Sequence, residues 1–340
     1  MKLQRISVLA AVLSVLVGSV LAEEGKVLNL YSARHYQADE ALYSDFTRQT
    51  GIRINRIEGK AHELLERIRN EGANSPADVF LTVDAASLAV AEAWGIFAPV
   101  KSSVLASRIP THLRSENWFA YSVRARMIIY NKRKLKAEDV PSYASLADPK
   151  MKGLLCSIPG GHIYNLTWVA SQIVHQGEEK AEAWARGLVA NLARQPRGGD
   201  TDQIKSVAAG ECAVAVSNSY YLARLMASDR VEERNLVKRL GIVWPDQDGF
   251  GTHINISGGG LVKTSKNREA AIRFLEYLAS DEAQRYFANG NNEWPAVPTV
   301  KIANEELAEM GSFKADTTSL VAIGQKLPAA QKLLDRAGFR

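Results

Sequence analysis

Tyr220 and Tyr221 are adjacent in the segment Val216 to Arg224, Val-Ser-Asn-Ser-Tyr-Tyr-Leu-Ala-Arg. The run before them, Cys212 to Ser217, reads as a strand, and Asn218 and Ser219 are residue types that cap helix N-termini. Both tyrosines then fall in a first helical turn. Neighbours there diverge by about 100°, whereas strand neighbours point to opposite faces. Two phenol arms can therefore converge on one point. A lone Tyr-Tyr pair is ordinarily half-buried packing, but two further segments carry related chemistry. Ser32-Ala-Arg-His35-Tyr36 lies where a strand hands over to a helix, and so does Pro159-Gly-Gly-His-Ile-Tyr164-Asn165. In open α/β sheets the carboxyl ends of strands face the ligand crevice. His35, Tyr36, Tyr164, Tyr220 and Tyr221 are thus expected at one cleft.

Phenolate is a hard oxygen donor. A phenol titrates near ~10, so only a strongly polarising ion makes the anion dominant at neutral pH. Several phenolates suit a hard, highly charged cation: Fe³⁺ fits, whereas Ca²⁺ and Mg²⁺ call for carboxylates. Such a set leaves negative charge around a trivalent ion. Arg124 and Arg126, on one face of a strand, or Arg224, one turn after Tyr220, would offset it. Taken singly, each arginine is an ordinary surface solubiliser. Sequence signatures of catalysis are missing: there is no Gly-x-Ser-x-Gly elbow, no P-loop, and Gly249-x-Gly251 lacks the third glycine of a dinucleotide fingerprint. His62-Glu63 begins like a zinc-protease helix, but Glu66 stands where a second histidine is needed, so that stretch reads as a solvated helix face. A binding protein is expected rather than an enzyme.

These segments must be positioned by an alternation of strands and helices that starts at Val27. Strands are expected at 27–31, 52–57, 78–82, 126–130 and 212–217, and a strand pair at 254–256 and 260–262. Helices are expected at 38–49, 62–71, 86–94, 165–175, 179–192, 202–209, 268–279 and 282–288. No Pro/Gly/Ser linker divides the chain, so two lobes would be joined by strands crossing near 122–130 and 249–255, forming a hinge. Ahead of this, Lys2 and Arg5, the apolar run Ile6 to Val17 and Val20-Leu21-Ala22 read as a secretory signal peptide cleaved after Ala22. No lipobox cysteine follows, so a soluble exported protein is expected. Removing 22 of the 340 residues leaves 318, and the net charge falls from +5 to +3 because Lys2 and Arg5 leave without an acid. That mild charge, without a long basic run, makes nucleic acid a poor partner. Cys156 and Cys212 are the only cysteines, which in an oxidising compartment reads as one disulfide, with two buried thiols as the alternative.

The chain resembles the periplasmic ferric-ion-binding proteins of iron(III) ABC transporters, the bacterial transferrin family, and within it the cyanobacterial-type tyrosine-rich branch. The resemblance spans nearly all of the mature chain. It is carried by Tyr31-Ser-Ala-Arg-His-Tyr36, Glu71-Gly-Ala-Asn-Ser-Pro-Ala-Asp-Val79, Arg124-Ala-Arg126 before Ile129-Tyr-Asn131, Ser217-Asn-Ser-Tyr-Tyr221 and Gly251-Thr-His-Ile-Asn-Ile-Ser257, with Asn291-Asn-Glu-Trp-Pro295 and Asp335-Arg-Ala-Gly-Phe339 extending it. It implies a two-lobed type II periplasmic-binding-protein fold, lobes at 27–122 with 250–298 and at 123–249 with 299–340, and a ferric ion held between them by Tyr36, Tyr164, Tyr220 and Tyr221. His35 would be a variable participant, Fe²⁺ an alternative cargo, and delivery would be from a monomer to an inner-membrane permease. Some relatives add a glutamate just after the Asp-Val-Phe strand and a synergistic anion such as phosphate. Here Val83 occupies that point, so phosphate is not expected, while carbonate stays open. Two other readings remain at this stage: an exported receptor for a small anion, and a phosphate-handling hydrolase.

Overall fold

The computed structural model describes residues 27–34 and 36–340; the leader read at 1–22 and His35 lie outside the described residues. Among the described residues the strands are β1 (Val27–Ser32), β2 (Arg53–Glu58), β3 (Val79–Thr82), β4 (Trp118–Asn131), β5 (Leu155–Cys156), β6 (Val214–Asn218), β7 (Leu240–Val243), β8 (Ile254–Leu261) and β9 (Trp294–Pro295). Their order is β2-β1-β3-β8-β4-β6-β5, with β7 and β9 also pairing with β4. In the first lobe β1 lies parallel to β2 and β3, which places Ser32 at the end of β1 opposite Glu58 and Leu81, so that the carboxyl ends of the three strands lie together. In the second, β5 and β6 are parallel with Cys156 opposite Ala215.

β4 joins the lobes. Its first half pairs antiparallel with β8 as far as Ala125 opposite Ile254, and from Arg126 opposite Asn218 it pairs with β6. Fourteen residues of extended chain reach about 46 Å, enough to serve both sheets. All of β4 except Tyr130 is buried, so the two arginines in it are carried inside the molecule rather than onto a solvated face. Sequence periodicity placed only 126–130 in this strand; the apolar stretch Trp118 to Val123 extends it backwards. The expected pair of short strands at 254–256 and 260–262 is one strand, β8. A Cβ at Gly258, Gly259 or Gly260 would come within 2.7, 2.6 and 2.4 Å of the backbone oxygens of Phe119, Phe80 and Asn117. The glycines thus let β8 run between β3 and β4 where any side chain would push them apart.

Cys156 and Cys212 form a disulfide with Cα atoms 5.8 Å apart, and Cys212 lies just ahead of β6 rather than inside it. The bond closes a span of 56 residues that includes Tyr164. By loop-closure entropy such a bridge stabilises by about 4 kcal/mol, and 2–4 is the usual yield. Cys156→Ala/Cys212→Ala is therefore expected to lower the unfolding free energy by about 2–4 kcal/mol in denaturant titration, with the midpoint unchanged only if the bond does not form in the exported protein.

Candidate metal centre

Each tyrosine is presented by a short local motif. Tyr164 is the second residue of the helix Ile163–Gln176, and the His162 imidazole caps that helix by accepting from the Tyr164 N–H at 3.2 Å. Tyr220 and Tyr221 open the helix Ser219–Met226 directly after β6. Asn218 holds the N-cap position as expected, but its side chain does not cap. It approaches Arg126 at 3.5 Å instead, while the Ser219 hydroxyl accepts from the Ala125 N–H at 3.3 Å and pins the helix start to β4. Tyr36 comes from the first lobe, directly before the turn at 37–38 that leads into the helix Asp39–Thr50.

The phenols of Tyr164 and Tyr220 lie 3.0 Å apart, and the Tyr220 and Tyr221 rings are 4.3 Å apart. Tyr36 meets them across the cleft. The Arg224 guanidinium stands 5.2 Å from the Tyr36 ring, 5.0 Å from Tyr220 and 5.8 Å from Tyr221. Three rings from two lobes thus surround one cation, a geometry in which each ring face gains from the charge. All four tyrosines singled out in the sequence are therefore brought together. Among the described residues no group of three or more His, Cys, Asp or Glu could hold a metal ion, so the convergent hard donors in this cleft are phenols.

Burial raises the pKa of Tyr36, Tyr164 and Tyr220 above the usual phenol value, since the charged form loses its water. For Tyr220 the neighbouring phenols add to this, and for Tyr36 the Glu293 carboxylate does; Arg124 pulls against the rise in all three. Tyr36, Tyr164 and Tyr220 are consequently neutral in the free site, and a polarising ion is needed to ionise them.

Behind the phenols lies a buried charge network. Arg34 donates to both oxygens of Asp39, at 3.0 and 2.9 Å, and to Ser257 at 2.5 Å. Glu293 sits between Arg34 at 3.4 Å and Arg124 at 3.3 Å and accepts from the Ser122 hydroxyl at 2.8 Å. Arg124 donates one hydrogen bond, to Ser257 at 2.9 Å. Its Nη1 faces Glu293 without hydrogen-bond alignment, and its Nε has no partner. Burial pulls the Arg124 pKa down, but Glu293 and the phenols more than reverse this, so the guanidinium stays charged, 5.7 Å from the Tyr220 ring. Arg126 is committed elsewhere, to Asp200 at 2.7 Å and Asn165 at 3.2 Å, and meets the site only through the Tyr164 ring at 5.8 Å. Both strand arginines keep an unpartnered Nε, but only Arg124 has a second nitrogen, Nη1, without a hydrogen-bond partner. Sequence reading did not single out Arg34, Ser257, Glu293 or Asp200 for this role. The available signal was a set of charged and hydroxylic residues inside otherwise apolar stretches.

A protein-family model described as bacterial extracellular solute-binding protein matches residues 74–314. The chain is 48% identical to iron uptake protein A1 of Synechocystis sp. over 93% of its own length and 88% of that protein. It is 29% identical to the major ferric iron-binding protein of Neisseria meningitidis, covering 92% and 93%. Among solved structures it is similar to a Trichodesmium protein, IdiA or FutA, in complex with iron and citrate ligands: TM-score 0.89, 50% identity, 92% of this chain and 100% of that one. Apo FutA2 from Synechocystis gives a TM-score of 0.89 at 43% identity, over 93% and 100%. The chain belongs to the bacterial extracellular solute-binding proteins, among the iron uptake and ferric iron-binding members of that family.

Proposed function

We propose that this chain captures ferric iron between its lobes, on the phenolates of Tyr36, Tyr164, Tyr220 and Tyr221, and delivers it to an inner-membrane ABC permease. It acts as a monomeric periplasmic binding protein and not as an enzyme. The observation that carries the reading is the approach of the Tyr164 and Tyr220 phenols to 3.0 Å, with Tyr36 of the other lobe on the far side of Arg224. The names of the relatives support the cargo. Lobes at 27–122 with 250–298 and at 123–249 with 299–340 put Tyr36 on one side and the other three tyrosines on the other.

Three or four phenolates around Fe³⁺ leave a net negative centre, which Arg124 and Arg224 offset from its two sides, while Arg126 orients the Tyr164 helix through Asn165. A cavity of about 700 Å³ that runs from Gly59 and Lys60 to Val83 and Ile163 is lined by Glu58, Glu63 and Asp84 and so does not suit an anion. The citrate of the Trichodesmium structure supports an anion completing the coordination on the side of Arg124 and Arg224. His35 is a supplementary donor, softer than phenolate. His35→Ala is accordingly expected to weaken iron binding by no more than the roughly 10–100-fold that loss of an outer partner costs, measured by competition with a chelator. The direct test is the absorption spectrum before and after adding ferric citrate. A visible ferric–phenolate band is expected; a chain that stays colourless at saturating iron returns the small-anion receptor.

A further inference from the structure

A second built cavity lies away from the phenols, where the hinge loop 246–253 packs on the end of the helix Ile163–Gln176. It encloses about 190 Å³. Tyr143, Trp184 and Phe250 give it aromatic walls, and Asp246, Asp316 and His253 line it together with His175, Gln172 and Gln176. Phe250 is 60% exposed yet stacks on His175 at 3.8 Å, so it forms the outer wall. His253 is 2% exposed, and neither of its ring nitrogens has a hydrogen-bond partner. A buried imidazole left without a partner carries a desolvation cost that a ligand hydrogen-bonded to it would relieve.

We propose that this hinge cavity binds a small organic ammonium, its charge offset by Asp246 and Asp316, one N–H donated to the unpartnered His253 ring, and its alkyl part covered by the aromatic walls. The charge balance points that way. Among the described residues no lysine or arginine forms an ion pair with Asp246 or Asp316; the partner of Asp316 is His175 at 2.7 Å. The other charged or titratable groups facing the cavity are Arg126 of β4, already neutralised by Asp200, and His112, which approaches Asp316. Burial raises the Asp246 pKa to about 6 and lowers that of His253 to about 4. At neutral pH Asp246 is therefore a carboxylate without a full counter-charge, and His253 is a neutral acceptor. An ammonium carries donors and no acceptor, which suits a cavity with an unpartnered imidazole nitrogen and two carboxylates in its wall. The aromatic walls favour a cation over a neutral guest. A transition metal is disfavoured because these side chains are not grouped to ligate one.

The test is titration of the full chain, iron-loaded and iron-free, with propylammonium chloride, followed by calorimetry and by the His253 ring resonances. Propanol and potassium chloride serve as controls. Saturable one-to-one binding of propylammonium is expected in both forms, with perturbed His253 resonances. Asp246→Asn should weaken it by at least about tenfold, as loss of a charge-assisted bond does, and leave the ferric colour untouched. Asparagine is chosen because Asp246 has φ 61°, a left-handed conformation that asparagine also accepts. Binding of propanol as strong as that of propylammonium, equal displacement by potassium, or the absence of any saturable shift would overturn the proposal, whichever way the iron titration goes.

Discussion

Tyr220→Phe is expected to lower ferric affinity by at least about a hundredfold and to bleach most of the visible band, while the iron-free protein keeps its stability to within about 1 kcal/mol. The affinity figure is a lower bound. Removing a partner that merely orients a metal ligand costs about 10–100-fold, so removing a ligand costs more. The stability figure follows from the surroundings of the hydroxyl. Tyr220 is 1% exposed, its ring packs on Tyr221, and its oxygen makes one hydrogen bond, to Tyr164. Phenylalanine keeps the packing and forfeits that bond, worth about 1 kcal/mol net, while sparing the desolvation of a hydroxyl. Tyr164→Phe should behave alike, because the two phenols share the contact. Equal iron affinity in parent and Tyr220→Phe proteins, measured by chelator competition, would remove Tyr220 from the ligand set.

The tyrosines were legible because their signal is local. A strand end followed by a cap residue and a helix start is visible in a few residues, and the residue type at that point then names the chemistry. The same logic found the β1 end and the helix that bears Tyr164. The disulfide was legible from cysteine count and compartment alone. What stayed hidden depends on long-range closeness. Glu293 is a single acid in a short segment, and only the pairing of β9 with β4 sets it between Arg34 and Arg124. Arg124 and Arg126 look equivalent two residues apart on one strand, but the change of partner from β8 to β6 between them sends one toward the phenols and the other toward Asp200. The glycines of β8 read as a break between two strands because sequence alone does not reveal that β3 and β4 close on both sides.

Iron-loaded protein is expected to be more compact in solution scattering than iron-free protein, and to lose its iron readily to acid or to a reductant with a ferrous chelator. Tyr36 stands on one lobe and Tyr164, Tyr220 and Tyr221 on the other, so an ion that bridges them favours the closed state by its differential affinity for it. Burial holds Tyr36, Tyr164 and Tyr220 protonated in the free site. Each one that ligates must release a proton, and apparent affinity falls about tenfold per pH unit for each proton released. If all three ionise, one pH unit of acidification weakens binding by up to about a thousandfold, and a pH titration of affinity counts the phenolates directly. A slope near one proton would leave a single ionised phenol and contradict the ligand set. Reduction to Fe²⁺ removes one unit of the charge that holds the phenolates ionised, while the charge of Arg124 persists and still repels the cation. Superimposable scattering curves would mean that one lobe alone holds the ion. Iron retained through reduction would mean that the phenols and arginines are balanced for the ferrous ion instead.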